Sequence, residues 1–142
     1  DLKIKRAMSR SRILSGDVNA AYDPNFSSVY EKANSAHMGD GVAIMKYSGS
    51  RGKSGTSDAN AEFVCEVRRI FNQENVVWQT GELGKVDQGG GGTVAYILAN
   101  YGAEVLDCGV GLLSMHAPYE VASKADIFEM YRGYKAFLNI NL

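Results

Sequence analysis

Ile13-Leu14-Ser15-Gly16-Asp17-Val18-Asn19-Ala20 and, far along the chain, Val105-Leu106-Asp107-Cys108-Gly109-Val110-Gly111-Leu112-Leu113-Ser114-Met115-His116-Ala117 decide how this protein is read. Each is an apolar run followed closely by a residue able to bind a metal, Asp17 in the first and His116 in the second. Short apolar runs bounded by Gly and Ser predict buried strands, here over residues 12–17 and 105–110. Open α/β sheets place their sites beyond the carboxyl ends of strands, so two residues so distant in sequence can meet there.

Working outward, residues 42–47 predict a second strand, followed by a Gly/Ser/Lys turn, and Val76-Val77-Trp78 a third. Helical spacing appears between them. Residues 2–10 form a short helix candidate with Leu2, Ile4 and Met8 apolar. Ser57 is the expected N-cap of a helix carrying Phe63, Val64, Val67, Ile70 and Phe71 at helical spacing. Thr93 is the expected cap of another that buries Val94, Ile97, Leu98 and Tyr101 and stops at Gly102. The last starts near Ser123, with Asp126 in the capping position, and directs Ile127, Met130, Tyr131, Tyr134, Phe137 and Leu138 to the core. Residues 19–41 read as a long polar loop, which in a compact domain is more often functional than accidental. Strands alternating with helices predict an α/β fold: a mixed, mostly parallel sheet flanked by helices, with no domain boundary within residues 1–142.

The chain has 142 residues, 45% of them hydrophobic, which suffices for one buried core. Its 15 basic and 16 acidic residues leave a formal charge of -1, so there is no basic field to hold a nucleic acid. No run of 18 apolar residues occurs, hence no membrane partner is expected, and no signal peptide opens the sequence. Cys65 and Cys108 lack C-x-x-C spacing and read as buried reduced thiols of a cytoplasmic protein.

Taken singly, the candidate site residues are ambiguous. Asp17 offers a hard oxygen to zinc, manganese or cobalt, yet an aspartate after a strand more often caps a helix or closes a turn. A lone histidine such as His116 is more often structural than a ligand. His37 matches no motif and reads as a surface residue. Gly89, Gly90, Gly91 and Gly92 precede a helix start; they either let backbone N–H groups approach a ligand or satisfy a turn with positive φ. Lys46 and Lys53 flank the turn after the second strand and are ordinarily solvated. Gly49-Ser50-Arg51-Gly52-Lys53-Ser54 resembles a nucleotide-binding P-loop, but Tyr47 stands where that motif needs its first glycine. The helix also begins too late, so this nucleotide-binding module is the alternative rather than the preferred reading.

Together, the block over residues 13–20, Asp23-Pro24-Asn25-Phe26, Gly49-Ser50-Arg51-Gly52-Lys53-Ser54-Gly55, the tetraglycine run and Leu113-Ser114-Met115-His116 occur in the order and spacing of one family. The chain resembles the aminopeptidase I / aspartyl aminopeptidase family of dinuclear zinc metallopeptidases from about residue 13 to 138. The resemblance implies a zinc-exopeptidase-like fold and an incomplete catalytic domain, of which residues 1–142 form the C-terminal portion. In this family five side chains hold two divalent ions, most often zinc with cobalt or manganese as alternatives, and a glutamate acts as general base beside a metal-bridging water. Asp17 and His116 match two of the ligands; the resemblance places the other three and the base upstream of residue 1. It also implies that the glycine run lines the substrate pocket and that Lys46 matches a lysine holding an acidic first side chain. Residues 19–23 lack the histidines of acid-preferring members, which favours a neutral or broader preference. Peptide substrates, a homo-oligomeric parent and an inactive isolated segment complete the expectation. A scaffold of the same fold that has lost catalysis is the remaining alternative.

Overall fold

The computed structural model describes residues 1–51, 54–85 and 87–140. At its centre runs the longest strand, β7 (Glu104–Leu113), buried over all but its two end residues. On one side β1 (Arg12–Ser15) pairs with it in parallel, Ser15 opposite Asp107. The parallel pairing resumes in β2 (Asn19–Ala20), with Asn19 opposite Gly111. On the other side β3 (Val42–Met45) runs antiparallel, Ile44 opposite Cys108, and β6 (Trp78–Thr80) lies parallel to β3. The short β8 (Val121–Ala122) folds back on the end of β7. The sheet order β1-β7-β3-β6, with β2 and β8 also on β7, is therefore mixed with parallel pairings in the majority, as the sequence predicts. A separate hairpin, β4 (Tyr47–Ser50) with β5 (Ser54–Asp58), stands beside it.

The helices are α1 (Leu2–Met8), α2 (Ala61–Gln73), α3 (Ala95–Ala99) and α4 (Lys124–Leu138). Alternation along β7 gives the sheet two different faces. Leu106 and Cys108, with Val42 and Ile44 from β3, face Phe63, Val67, Ile70 and Phe71 of α2, and Met130 and Phe137 of α4 pack against the same cluster. Gly133 lets the two helices close: a Cβ there would stand 2.9 Å from the Phe71 ring. On the opposite face Val105 meets Ala95, Ala103 and the partly buried Met8, Ile13 and Leu98. Further along β7 that face turns polar at Asp107.

Several expectations are corrected. The turn after residue 47 is a β-hairpin, so Ser57 pairs with Ser48 in β5 and the cap of α2 is Asn60, whose Oδ1 accepts from Glu62 N–H at 2.9 Å. The third strand slides to Trp78–Thr80 because Val76 N–H still closes the helix on Phe71 O and Val77 N–H is taken by Glu129. In α3 only Ala95 is buried; Val94, Ile97 and Tyr101 are exposed, although Thr93 Oγ1 does accept from Ala95 N–H at 3.2 Å. Ser123 caps α4 as expected, accepting from Asp126 N–H. Its stripe splits, however. Met130, Tyr134 and Phe137 turn inward, while Ile127, Tyr131 and Leu138, about 50–95° further round the helix, are exposed with Phe128. Cys108 is buried but Cys65 is exposed, and both are free thiols.

Residues 19–41 are far from structureless. They hold β2, 3-10 turns at Pro24–Val29 and Lys32–Asn34, and a bridge between Ala21 and Ala36. Gln79 brackets His37 by accepting from its N–H and donating to its carbonyl, both at 2.7 Å. Buried Asp126 accepts from Gly39 N–H at 2.8 Å and from Gly41 N–H at 3.0 Å.

Candidate functional site

Asp17 follows β1 and His116 follows β7, so parallel pairing of the two strands carries both residues towards the same edge of the sheet. They line one groove of about 440 Å³ together with Gly89, Gly90, Gly91, Gly92 and Thr93. Val18, Ala20, Val29, Tyr30, Leu83, Gly84 and Met115 complete its lining. Among the described residues, Asp17 and His116 are the ionisable groups of this lining apart from the Tyr30 phenol, whose pKa burial and the nearby Asp23 raise.

The backbone around each of the two is built for its place. The chain after Ser15 crosses so close to β7 that a Cβ on Gly109 would lie 1.9 Å from the Asp17 carbonyl oxygen. Only glycine at position 109 lets Asp17 reach its position. Asp17 is half-buried, and its Oδ1 accepts from Val18 N–H at 3.0 Å. On the other side, Ser114 and His116 both adopt positive φ, 59° and 66°, and His116 N–H donates to the Glu120 carboxylate. Left-handed backbone at two non-glycine residues is a strained turn of the kind that clusters at functional sites, and here it presents an exposed imidazole at the rim.

The glycine run is a joint as well as a lining. Gly49 N–H donates to Gly91 O at 2.9 Å and Arg51 N–H to Gly89 O at 2.7 Å, so β4 and the loop touch backbone to backbone. A Cβ at Gly90 would come 2.9 Å from Gly49 O, and one at Gly92 3.1 Å from Gly55 O. The run therefore packs closely against the chain's own backbone, and Gly90 meets the turn reading with φ +80°.

Beneath the loop lies Asp107, 2% exposed. Its Oδ2 accepts from Thr93 Oγ1 at 2.7 Å and from Ser48 Oγ at 3.2 Å. Burial raises its pKa; the nearby hydroxyls of Ser15, Thr93 and Ser48 oppose that shift, and the Asp17 charge adds to it. Tyr134, whose hydroxyl donates to Cys108 O at 2.8 Å, closes the opposite face, and burial pushes both its phenol and the Cys108 thiol up.

Lys46 is not brought to the groove. It lies at the far end of β3, exposed, paired with Asp58 across the hairpin base, beside a small cavity lined also by Asn34, Thr80 and Glu82. Of the P-loop-like stretch, Gly52 and Lys53 lie outside the described residues, while Ser54 opens strand β5 rather than a helix. His37 is exposed, its ring 5.5 Å from that of Tyr22, which in turn stands 5.5 Å from Tyr30 at the groove. Sequence reading missed Tyr30, Leu83 and Met115 as lining and Asp107 as the support; Asp107 carried the one available signal, a carboxylate inside an otherwise apolar strand.

A carboxylate oxygen and an imidazole on one groove are donors suited to zinc. Among the described residues no group of three or more His, Cys, Asp or Glu is placed to hold a metal, so the pair fits a metal as part of a larger ligand set.

Comparison with known proteins bears on this arrangement. The family model described as aminopeptidase I zinc metalloprotease matches residues 2–138. A probable aminopeptidase 1 of that family from Clostridium acetobutylicum is 62% identical over 139 residues, 98% of this chain and 30% of the relative. The crystal structure of aminopeptidase I from Clostridium acetobutylicum superposes with a TM-score of 0.91 at 61% identity, covering 99% of this chain and 31% of that one. That of the aminopeptidase from Thermotoga maritima also gives 0.91, at 46% identity over 96% of this chain and 30% of its own. The chain thus spans about 30% of the length of the relatives it matches.

Proposed function

The chain belongs to the aminopeptidase I zinc metalloprotease family, and from that premise we propose that it supplies the C-terminal portion of the catalytic domain of a dinuclear metalloaminopeptidase, which removes the N-terminal residue from peptides. The observation that carries this reading is the convergence of Asp17, His116 and the four glycines on one groove from three separate parts of the sequence.

In this proposal Asp17 and His116 each bind one of two ions, zinc by preference with cobalt or manganese as substitutes. Bound there, the ions would polarise the scissile carbonyl and lower the pKa of a shared water towards neutrality. The remaining ligands and the general base come from the part of the longer protein that this segment does not contain. Asp17 Oδ1 already receives Val18 N–H, which fixes the carboxylate and leaves Oδ2 for a metal. Gly89, Gly90, Gly91 and Gly92 expose backbone along the groove and receive the peptide main chain. Lys46 stays outside the contact set, because it is tied to Asp58 away from the groove. The lining of Val18, Val29, Tyr30, Leu83 and Met115 supports an uncharged first side chain. Homo-oligomerisation of the parent is part of the proposal; a dodecamer from S. cerevisiae, 22% identical, shares the fold with a TM-score of 0.72. So is a cytoplasmic location, supported by two free thiols. No helix among the described residues is long and apolar enough to cross a membrane.

The test is hydrolysis of an aminoacyl-p-nitroanilide panel by the full-length protein, before and after chelation and with zinc restored. Activity is expected to vanish with chelator, return with zinc, and fall by at least about a thousandfold in His116→Ala, with zinc lost from one site. Full activity in His116→Ala would remove that residue from the site, and no activity with any metal would favour the non-catalytic scaffold.

A further inference from the structure

Four consecutive glycines make a poor wall for a binding groove. They carry no side chains to anchor them and lose more conformational freedom on ordering than any other residue. Something outside the run must hold it. The backbone bonds from Gly49 and Arg51 hold its hairpin side, but they fix the loop only as well as β4 itself is fixed.

Asp107 joins both sides of that joint. One carboxylate oxygen receives Thr93, the residue directly after Gly92, at 2.7 Å, and Ser48, the residue directly before Gly49, at 3.2 Å. Thr93 Oγ1, its proton given to Asp107, accepts Ala95 N–H in turn, which locks its rotamer. The loop exit, the β4 strand and the central strand β7 therefore meet on a single oxygen. Asp107 is 2% exposed, and among the described residues its other oxygen, Oδ1, has no hydrogen-bond partner. Burying a carboxylate with one oxygen unpaired is costly, and a neutral amide or an apolar residue would serve packing alone at less cost.

We propose that Asp107 is a positioning residue, which through Thr93 and Ser48 holds the glycine loop in the shape that receives the peptide main chain. This rests on the peptidase reading for its consequence, though not for its geometry. A prepared loop spares the substrate the entropy of ordering it, so the effect falls on binding rather than on the chemical step. Thr93 lines the groove and Asp107 does not, so the carboxylate acts through the threonine.

The experiment uses the full-length protein and the p-nitroanilide it cleaves best. Asp107→Asn and Thr93→Val are each expected to raise KM about tenfold, with kcat within about a factor of two and zinc content unchanged. The double variant should be no worse than either alone, and Thr93→Ser should keep the parent KM. Hydrogen exchange gives a readout independent of activity: amides of residues 89–95 should exchange about tenfold faster in Asp107→Asn, while those of 63–71 stay as they were. Additive effects of the two substitutions, loss of zinc, or a fall in kcat with KM unmoved would overturn the proposal. If Asp107→Asn does not fold, Thr93→Val against Thr93→Ser decides by the same KM and exchange criteria. A wild-type protein without peptidase activity whose loop still loosens on substitution would sink the peptidase reading and uphold the coupling. An active enzyme with unchanged loop exchange would do the reverse.

Discussion

The two faces of the central sheet differ in what they bury. Towards α2 and α4, Val42, Ile44, Leu106 and Cys108 meet Phe63, Val67, Ile70 and Phe71, and the buried carboxylate that α4 brings, Asp126, is satisfied by the N–H groups of Gly39 and Gly41. On the other face, beyond Val105, the buried groups are Asp107, Ser15, Asn19, Ser48 and Thr93, together with glycines where chains cross. Ser15 Oγ and both polar atoms of the Asn19 side chain have no hydrogen-bond partner among the described residues. One face stabilises the fold by removing apolar area from water; the other gives up some of that stability to fix a groove. A single strand, β7, serves both because alternate residues point opposite ways.

That division can be broken at its sharpest point by Gly109→Ala. The added methyl group meets the Asp17 backbone, which cannot swing aside as a side chain would. The expected outcome is a loss of about 4 kcal/mol or more in a urea melt together with at least about tenfold weaker zinc binding. An unchanged zinc titration would show that the crossing at Asp17 does not set the site. Next in size is Phe71→Ala on the apolar face, where the side chain is fully buried against Gly133. It should cost about 3–5 kcal/mol, while zinc affinity of the folded fraction stays at the parent value. Coupled loss of both would mean that the two faces are not separable.

The smallest expected effect lies at the edge of the apolar face. Glu129 on α4 accepts from Val77 N–H at 2.8 Å and pairs with Arg132 at 2.9 Å. The Val77 N–H is the chief reason its carboxyl lies below the usual range; burial opposes that shift and Arg132 adds to it. A carboxyl lowered on folding stabilises above its unfolded value and loses that contribution as pH falls through the folded one. Glu129→Gln should therefore lower stability by about 1 kcal/mol at neutral pH, with the gap to the parent closing as acid protonates the carboxyl. A gap that persists in acid would assign the effect to packing rather than to charge.

Residues 12–17 and 42–47 announced their strands because apolar runs between Gly, Ser and Asp leave few alternatives, and Ser123 announced α4 because its cap is local. The hairpin after residue 47 was not legible: Tyr47, Ser48 and Ser57 carry no alternation, and their pairing is decided by Thr93, Asp107 and the glycine loop. The stripe on α4 was half legible. Its apolar residues wrap more of the helix than α2 and the sheet cover, so Phe128, Tyr131 and Leu138 stay exposed. At the site, Asp17 and His116 could be named from their motifs, whereas Tyr30 and Leu83 could not, because isolated residues in loops have no period to betray them.

By itself, the sequence determined the mixed α/β class and the family and marked Asp17 and His116 as candidates, since strand runs, caps and motif spacing are written in neighbouring residues. Only the tertiary structure decided that the glycine loop is clasped by β4, that Lys46 is kept away from the groove and that Asp107 supports Thr93. Each of these depends on contacts between residues far apart in the chain, and such contacts exist only once the sheet has brought them together.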